Sequence, residues 1–111
     1  MGVETIERNG TLHVELSGEL DISTAGEVEA RLLQLEDDGV PERLIIDLRE
    51  VSFLDSTGLS LLINADRRAR EAGRRLTVVS GVGAPRRILV TSGLQGLIDI
   101  VEDLDQDASG R

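Results

Sequence analysis

Hydrophobic and polar positions alternate near the start of the chain and then change period. Leu12, Val14 and Leu16 interleave with Thr11, His13, Glu15 and Ser17, a period of two that predicts a strand with one apolar and one wetter face. Residues 3–6 read as a partner strand, and Asn9-Gly10 between the two predicts a tight hairpin. Gly18-Glu19-Leu20-Asp21 reads as the loop that closes the second strand. The spacing then becomes helical. Ala25, Val28, Leu32 and Leu35 form an apolar stripe reaching about residue 37. Thr24 and Glu27 have capping-box spacing, with Ser23 a second cap candidate. Asp38-Gly39 ends this helix and Pro41 prevents its resumption.

Leu44-Ile45-Ile46-Asp47-Leu48 is apolar at almost every position, as expected of a strand buried on both faces. A second helix is predicted from near Ser56 to about Ala72, with Leu59, Leu62, Ile63 and Ala69 inward and Arg67, Arg68, Arg70 and Glu71 wet. Gly73 suits its C-terminal cap. Residues 76–79 form the next buried strand. Pro85 fits the first turn of a short third helix ending near Ser92-Gly93, and residues 98–100 form a last strand. The order β-β-α-β-α-β-α-β predicts an α/β domain. Its mixed sheet has parallel centre strands, right-handed crossovers and helices mainly on one face. Residues 1–102 form this single domain and residues 103–111 a solvated acidic tail.

Composition narrows the chemistry. Phe53 is the only aromatic residue among 111, so the core is aliphatic. A net charge of −9 argues against nucleic acid or anionic membrane as the main partner. All 12 basic residues are arginine, so the lysine of a P-loop, of a Schiff base or of a phospho-receiver domain is missing. Cysteine is absent and His13 is the one histidine, which disfavours thiolate and imidazole metal centres. No cofactor is expected. No run approaches the length of a membrane span, and the first residues do not resemble a signal peptide. A cytoplasmic protein without direct membrane insertion is expected. His13 reads as a surface residue, Gly81-Val82-Gly83 as a plain turn, and the arginines at 67, 68, 70, 74 and 75 as a solvated helix face. Asp21 and Asp55 have no nucleophile or ligand set beside them, so an enzyme is not expected.

Phe53-Leu54-Asp55-Ser56-Thr57-Gly58-Leu59 places an acid, two hydroxyls and a glycine at the entry to the second helix. Unpaired N–H groups and the positive end of the helix dipole meet there, which suits both an N-cap and a phosphate carrier. Ser56 is a candidate for either role, and Asp55 is expected to shape the turn.

This element, with Gly18-Glu19-Leu20-Asp21, the strand over residues 44–48 and Ser92-Gly93-Leu94, resembles the STAS domain family. The likeness is to its free-standing bacterial anti-sigma-factor antagonists and covers residues 3–102. It implies a partner anti-sigma factor with serine kinase activity that phosphorylates the hydroxyl after the motif aspartate, here Ser56, with Thr57 as the second choice. The unmodified antagonist would bind the anti-sigma factor and free the sigma factor. The phosphorylated form would not bind, and a serine phosphatase would reset it. The implied partner-binding residues are Asp21, Asp55, Ser56, Thr57, Gly58 and Leu59. Gly58, lacking a Cβ, would let the partner approach closely. The alternative implied by the resemblance is a non-switching scaffold subunit of a signalling complex or of a membrane transport system.

Overall fold

Asn9 and Gly10 both adopt positive φ, 53° and 78°, the backbone of a primed two-residue hairpin turn. They join β1 (Gly2–Arg8) to β2 (Thr11–Leu20), with Arg8 opposite Thr11. The computed structural model describes residues 1–39 and 41–104. After the hairpin come α1 (Ala25–Asp37), β3 (Arg43–Leu54), α2 (Ser56–Glu71), β4 (Arg75–Val79), α3 (Ala84–Thr91), a 3-10 turn (Leu94–Gly96) and β5 (Asp99–Val101). The five strands lie side by side in chain order. β1 and β2 are antiparallel and the remaining pairs parallel. The expected order and mixed sheet are therefore present.

One face of the sheet carries the core. Leu12, Val14 and Leu16 of β2, Leu44, Ile46 and Leu48 of β3, and Leu76 and Val78 of β4 form one cluster with residues of α1, α2 and α3. Val28 and Leu32 come from α1, Leu61 and Leu62 from α2, and Leu89 from α3. Each such side chain contributes roughly 1.5–3 kcal/mol by leaving water. The opposite face is tight at its centre, where Ile45, Asp47, Thr77 and Val79 are also buried.

Two strands run further than the hydrophobic pattern predicts. β3 does not stop at Leu48 but continues through a bulge: Glu15 pairs with Asp47, and Ser17 with Glu50. The Asp47 carboxylate accepts a hydrogen bond from the Arg49 backbone N–H at 3.0 Å, filling the irregularity from within. Gly18 to Leu20 is strand and not loop, with Gly18 at φ 102° opposite Val51. The extension carries Leu20 and Leu54, both fully buried, to the end of the sheet, where they form the floor under the start of α2.

Helix α2 buries Gly58, Leu61, Leu62, Ala65 and Ala69. Ile63, expected inside, is 39% exposed, because the phase set by Gly58 turns the next residue after Leu62 about 100° away. Leu59 is half-buried. Arg68 is not a solvated residue: it bonds Glu36 at 2.7 Å and Glu29 at 2.8 Å, tying α2 to α1. The last strand is β5, one residue later than expected, because Leu94–Gly96 forms a 3-10 turn after Gly93 at φ 80°. Apart from Asp103 and Leu104, the predicted acidic tail lies outside the described residues.

Candidate functional site

The C-terminal ends of β2 and β3 deliver two short segments to one place. The Asp55 N–H donates to the Leu20 carbonyl at 3.3 Å, joining them. Asp55 has extended backbone and caps α2, its Oδ1 accepting from the Gly58 N–H at 3.0 Å. Its Oδ2 accepts from the Ile22 N–H at 3.2 Å. One carboxylate thus holds the helix start and the β2–α1 turn together.

The N-cap role falls to Asp55 and not to Ser56. An acid one residue earlier reaches the third helical N–H, which a hydroxyl in the first helical position cannot do. Ser56 is therefore the first residue of α2. It is exposed, and among the described residues its hydroxyl has no hydrogen-bond partner. Thr57 is half-buried and lines a groove between α1 and α2 with Ala25, Gly26 and Glu29. Gly58 is buried: a Cβ there would meet the Leu54 side chain and stand 2.9 Å from the Leu20 carbonyl oxygen. The close approach expected at Gly58 is made by this chain's own strands. Leu59 packs against the core from its edge.

In the β2–α1 turn, Asp21 Oδ1 accepts from the Ser23 N–H at 2.9 Å and the Ser23 hydroxyl at 2.6 Å. The Ser23 hydroxyl hydrogen bond outweighs partial desolvation and holds the Asp21 carboxyl below the usual carboxylate range. The predicted capping box does not form. The Thr24 hydroxyl turns back, donating to the Glu19 carbonyl at 2.6 Å and accepting from the Asp21 N–H at 3.0 Å. Three large apolar side chains stand out at this end of the sheet: Ile22 (80% exposed), Val82 (77%) and Phe53 (46%). The sequence pattern marks none of them for contact, although an isoleucine inside a polar turn is the legible sign.

A second polar cluster lies on the other sheet face. Asp47 is 1% exposed, and its carboxylate accepts from Arg49 Nη2 at 2.7 Å, from Arg49 Nε at 3.0 and 3.1 Å, and shares a bond with His13 Nε2 at 2.9 Å. Burial alone would push this carboxyl up, but the Arg49 and His13 hydrogen bonds hold it below the usual range. His13 is thus a bonded, largely covered residue and not the surface histidine expected. With Glu15, its ligand-type atoms and those of Asp47 fall within 4.8 Å of one another. The Arg49 guanidinium already supplies the cation at Asp47, so the Asp47–Arg49 pair with His13 is a hydrogen-bonded brace beside the bulge.

The chain matches the model of the STAS domain family over residues 2–107. It is 28% identical over 102 residues to the anti-sigma-B factor antagonist of Staphylococcus aureus, covering 92% of this chain and 94% of the relative. Among solved structures it is similar to an anti-sigma factor antagonist from Mycobacterium paratuberculosis, with TM-score 0.88, 28% identity, and coverage of 98% of this chain and 92% of that one. The Bacillus cell fate determinant SpoIIAA in its phosphorylated form shares the fold, with TM-score 0.71 at 20% identity over 99% of this chain and all (100%) of that one.

Proposed function

The chain belongs to the STAS domain family, with relatives that are named as regulators and not as enzymes, and on that premise we propose that it is a phosphorylation-gated anti-sigma-factor antagonist. When unmodified it docks an anti-sigma factor through the end of the sheet around Ser56 and releases the sigma factor. The anti-sigma factor is also its serine kinase, a serine phosphatase reverses the modification, and the exchange takes place in the cytoplasm.

The observation that carries this reading is the state of Ser56, exposed at the first position of a helix whose cap is already filled by Asp55. Its hydroxyl has no structural duty to lose. A phosphate there adds about −1.5 to −2 charges close to Asp55. The free N–H groups at the start of α2 favour an anion, so the fold need not rearrange to carry it. The docking surface instead gains bulk and like charge, and a closely fitted partner would have to desolvate both. Exposure favours Ser56 over Thr57, whose side chain lines the groove that holds Glu29.

The test is a pull-down from native lysate with wild type, Ser56→Ala and Ser56→Asp, the retained proteins being identified by mass spectrometry. An ATP-binding anti-sigma kinase held by the first two and lost by the third supports the switch. The same transporter or scaffold proteins held by all three would make this a non-switching subunit.

A further inference from the structure

We infer that Ile22 is the apolar anchor of the docking surface, filling a non-polar pocket of the anti-sigma factor, and that Asp21 and Asp55 hold it in place. This rests on the antagonist reading above.

Every backbone N–H from residue 21 to residue 25 is engaged within the chain. Asp21 N–H donates to the Thr24 hydroxyl at 3.0 Å, Ile22 N–H to Asp55 Oδ2 at 3.2 Å and Ser23 N–H to Asp21 Oδ1 at 2.9 Å. Thr24 and Ala25 N–H donate to the Asp21 carbonyl at 3.1 and 2.8 Å. A turn bonded so completely offers a partner few main-chain donors. What it does offer is the Ile22 side chain, 80% exposed. Its backbone is already ordered, so docking does not bear the entropy of fixing a loop. An apolar side chain on an ordered backbone can leave water in a fitted pocket without first fixing the turn that carries it.

The occupant follows from continuity and charge. Asp55 is bonded to Ile22 and is the residue before Ser56, so anchor and phosphate acceptor share one surface. Asp21 and Asp55 flank the anchor, so the fitting pocket is apolar with cations at its rim. Asp21 turns its Oδ1 onto Ser23, which makes it a positioning residue for the anchor.

The experiment uses the purified full chain and the anti-sigma factor retained by wild-type bait, titrated calorimetrically. Ile22→Ala should bind about ten- to fifty-fold more weakly, Ile22→Leu within about three-fold of wild type. Thermal melts should be unchanged, since the side chain is exposed. In the kinase assay, Ile22→Ala should raise KM for phosphorylation of Ser56 and leave kcat alone. Asp21→Ala should weaken binding non-additively with Ile22→Ala, and Asp21→Asn, which keeps the Oδ1 acceptor and loses the rim charge, should recover only part of the loss. If Ile22→Ala binds like wild type, the anchor is overturned while the antagonist reading stands. If Ile22→Ala changes only self-association in sedimentation, the occupant is a second copy and the inference is wrong. If wild type retains no anti-sigma factor, both readings fall together.

Discussion

Substituting Gly58 tests whether α2 is seated as tightly as its contacts indicate. A Cβ at Gly58 would enter the Leu54 side chain and lie 2.9 Å from the Leu20 carbonyl oxygen, with Leu20 Cγ at 3.1 Å. Leu54 can rotate, but a carbonyl fixed in the sheet cannot yield without moving the strand. Overpacking of this kind costs about 1–3 kcal/mol. Alanine would return about 0.5–1 kcal/mol through the unfolded state and helix propensity. The net expectation is a loss of roughly 1–2 kcal/mol, or about 4–8 °C in Tm for a domain of this size. Gly26 is the control, because it also lies in a helix but a Cβ there meets nothing within 4 Å. Gly26→Ala should raise stability by about 0.5 kcal/mol. Urea unfolding of the two variants beside wild type measures both differences. A Gly58→Ala protein as stable as wild type would refute the packing argument, and with it the explanation for glycine at this position.

Other expectations concern the acids and their partners. Asp55→Ala should cost about 1 kcal/mol by uncapping α2, with Asp55→Asn retaining most of it, as read by urea unfolding. The folded Asp47 carboxyl lies below its ordinary range, so its contribution is present above about pH 4 and is lost as pH falls through the folded value. Asp47→Asn should therefore flatten the decline of unfolding free energy measured as the pH falls below about 4. Arg68→Ala should destabilise by about 1–2 kcal/mol, because this half-buried guanidinium bonds carboxylates on another helix. Arg70→Ala, which removes an exposed pair with Asp66 one turn away and a bond to the Leu97 carbonyl, should cost less, about 0.5–1 kcal/mol in the same assay.

Helix and strand periods in the sequence locate the central elements, because β2, β3, β4 and the helices bury apolar faces, whereas β1, with no buried residue, is read from the Asn9-Gly10 turn that pairs it. They fail where geometry supersedes period. The bulge at Asp47 to Glu50 breaks the alternation, so the outer half of β3 is invisible to a pattern of two. At the start of α2 the sequence points to Ser56 as the cap, and the extended backbone at Asp55 moves that role one residue earlier. Thr24 has the spacing of a capping box, yet the nearby Glu19 carbonyl captures its hydroxyl. The His13–Asp47 bond joins residues 34 apart, which only the strand register brings together. An acid within an otherwise apolar run was the readable trace of that network. Segment 55–59 is legible as a motif, but the division of its labour is not: Asp55 holds, Ser56 is exposed, and Gly58 packs.

The spatial order of the strands, identical to their order along the chain, bears on how the protein is made. No strand has to be inserted between two that are already paired. Along the emerging chain β2 meets β1 across a two-residue turn, and each later strand can join the free border of its immediate predecessor after one crossover. The sheet can thus grow by accretion at a single advancing edge. The surface around Ser56 is completed only when β3 and the first turns of α2 have been laid down, which confines any contact through it to chains that have already built the centre of their own fold.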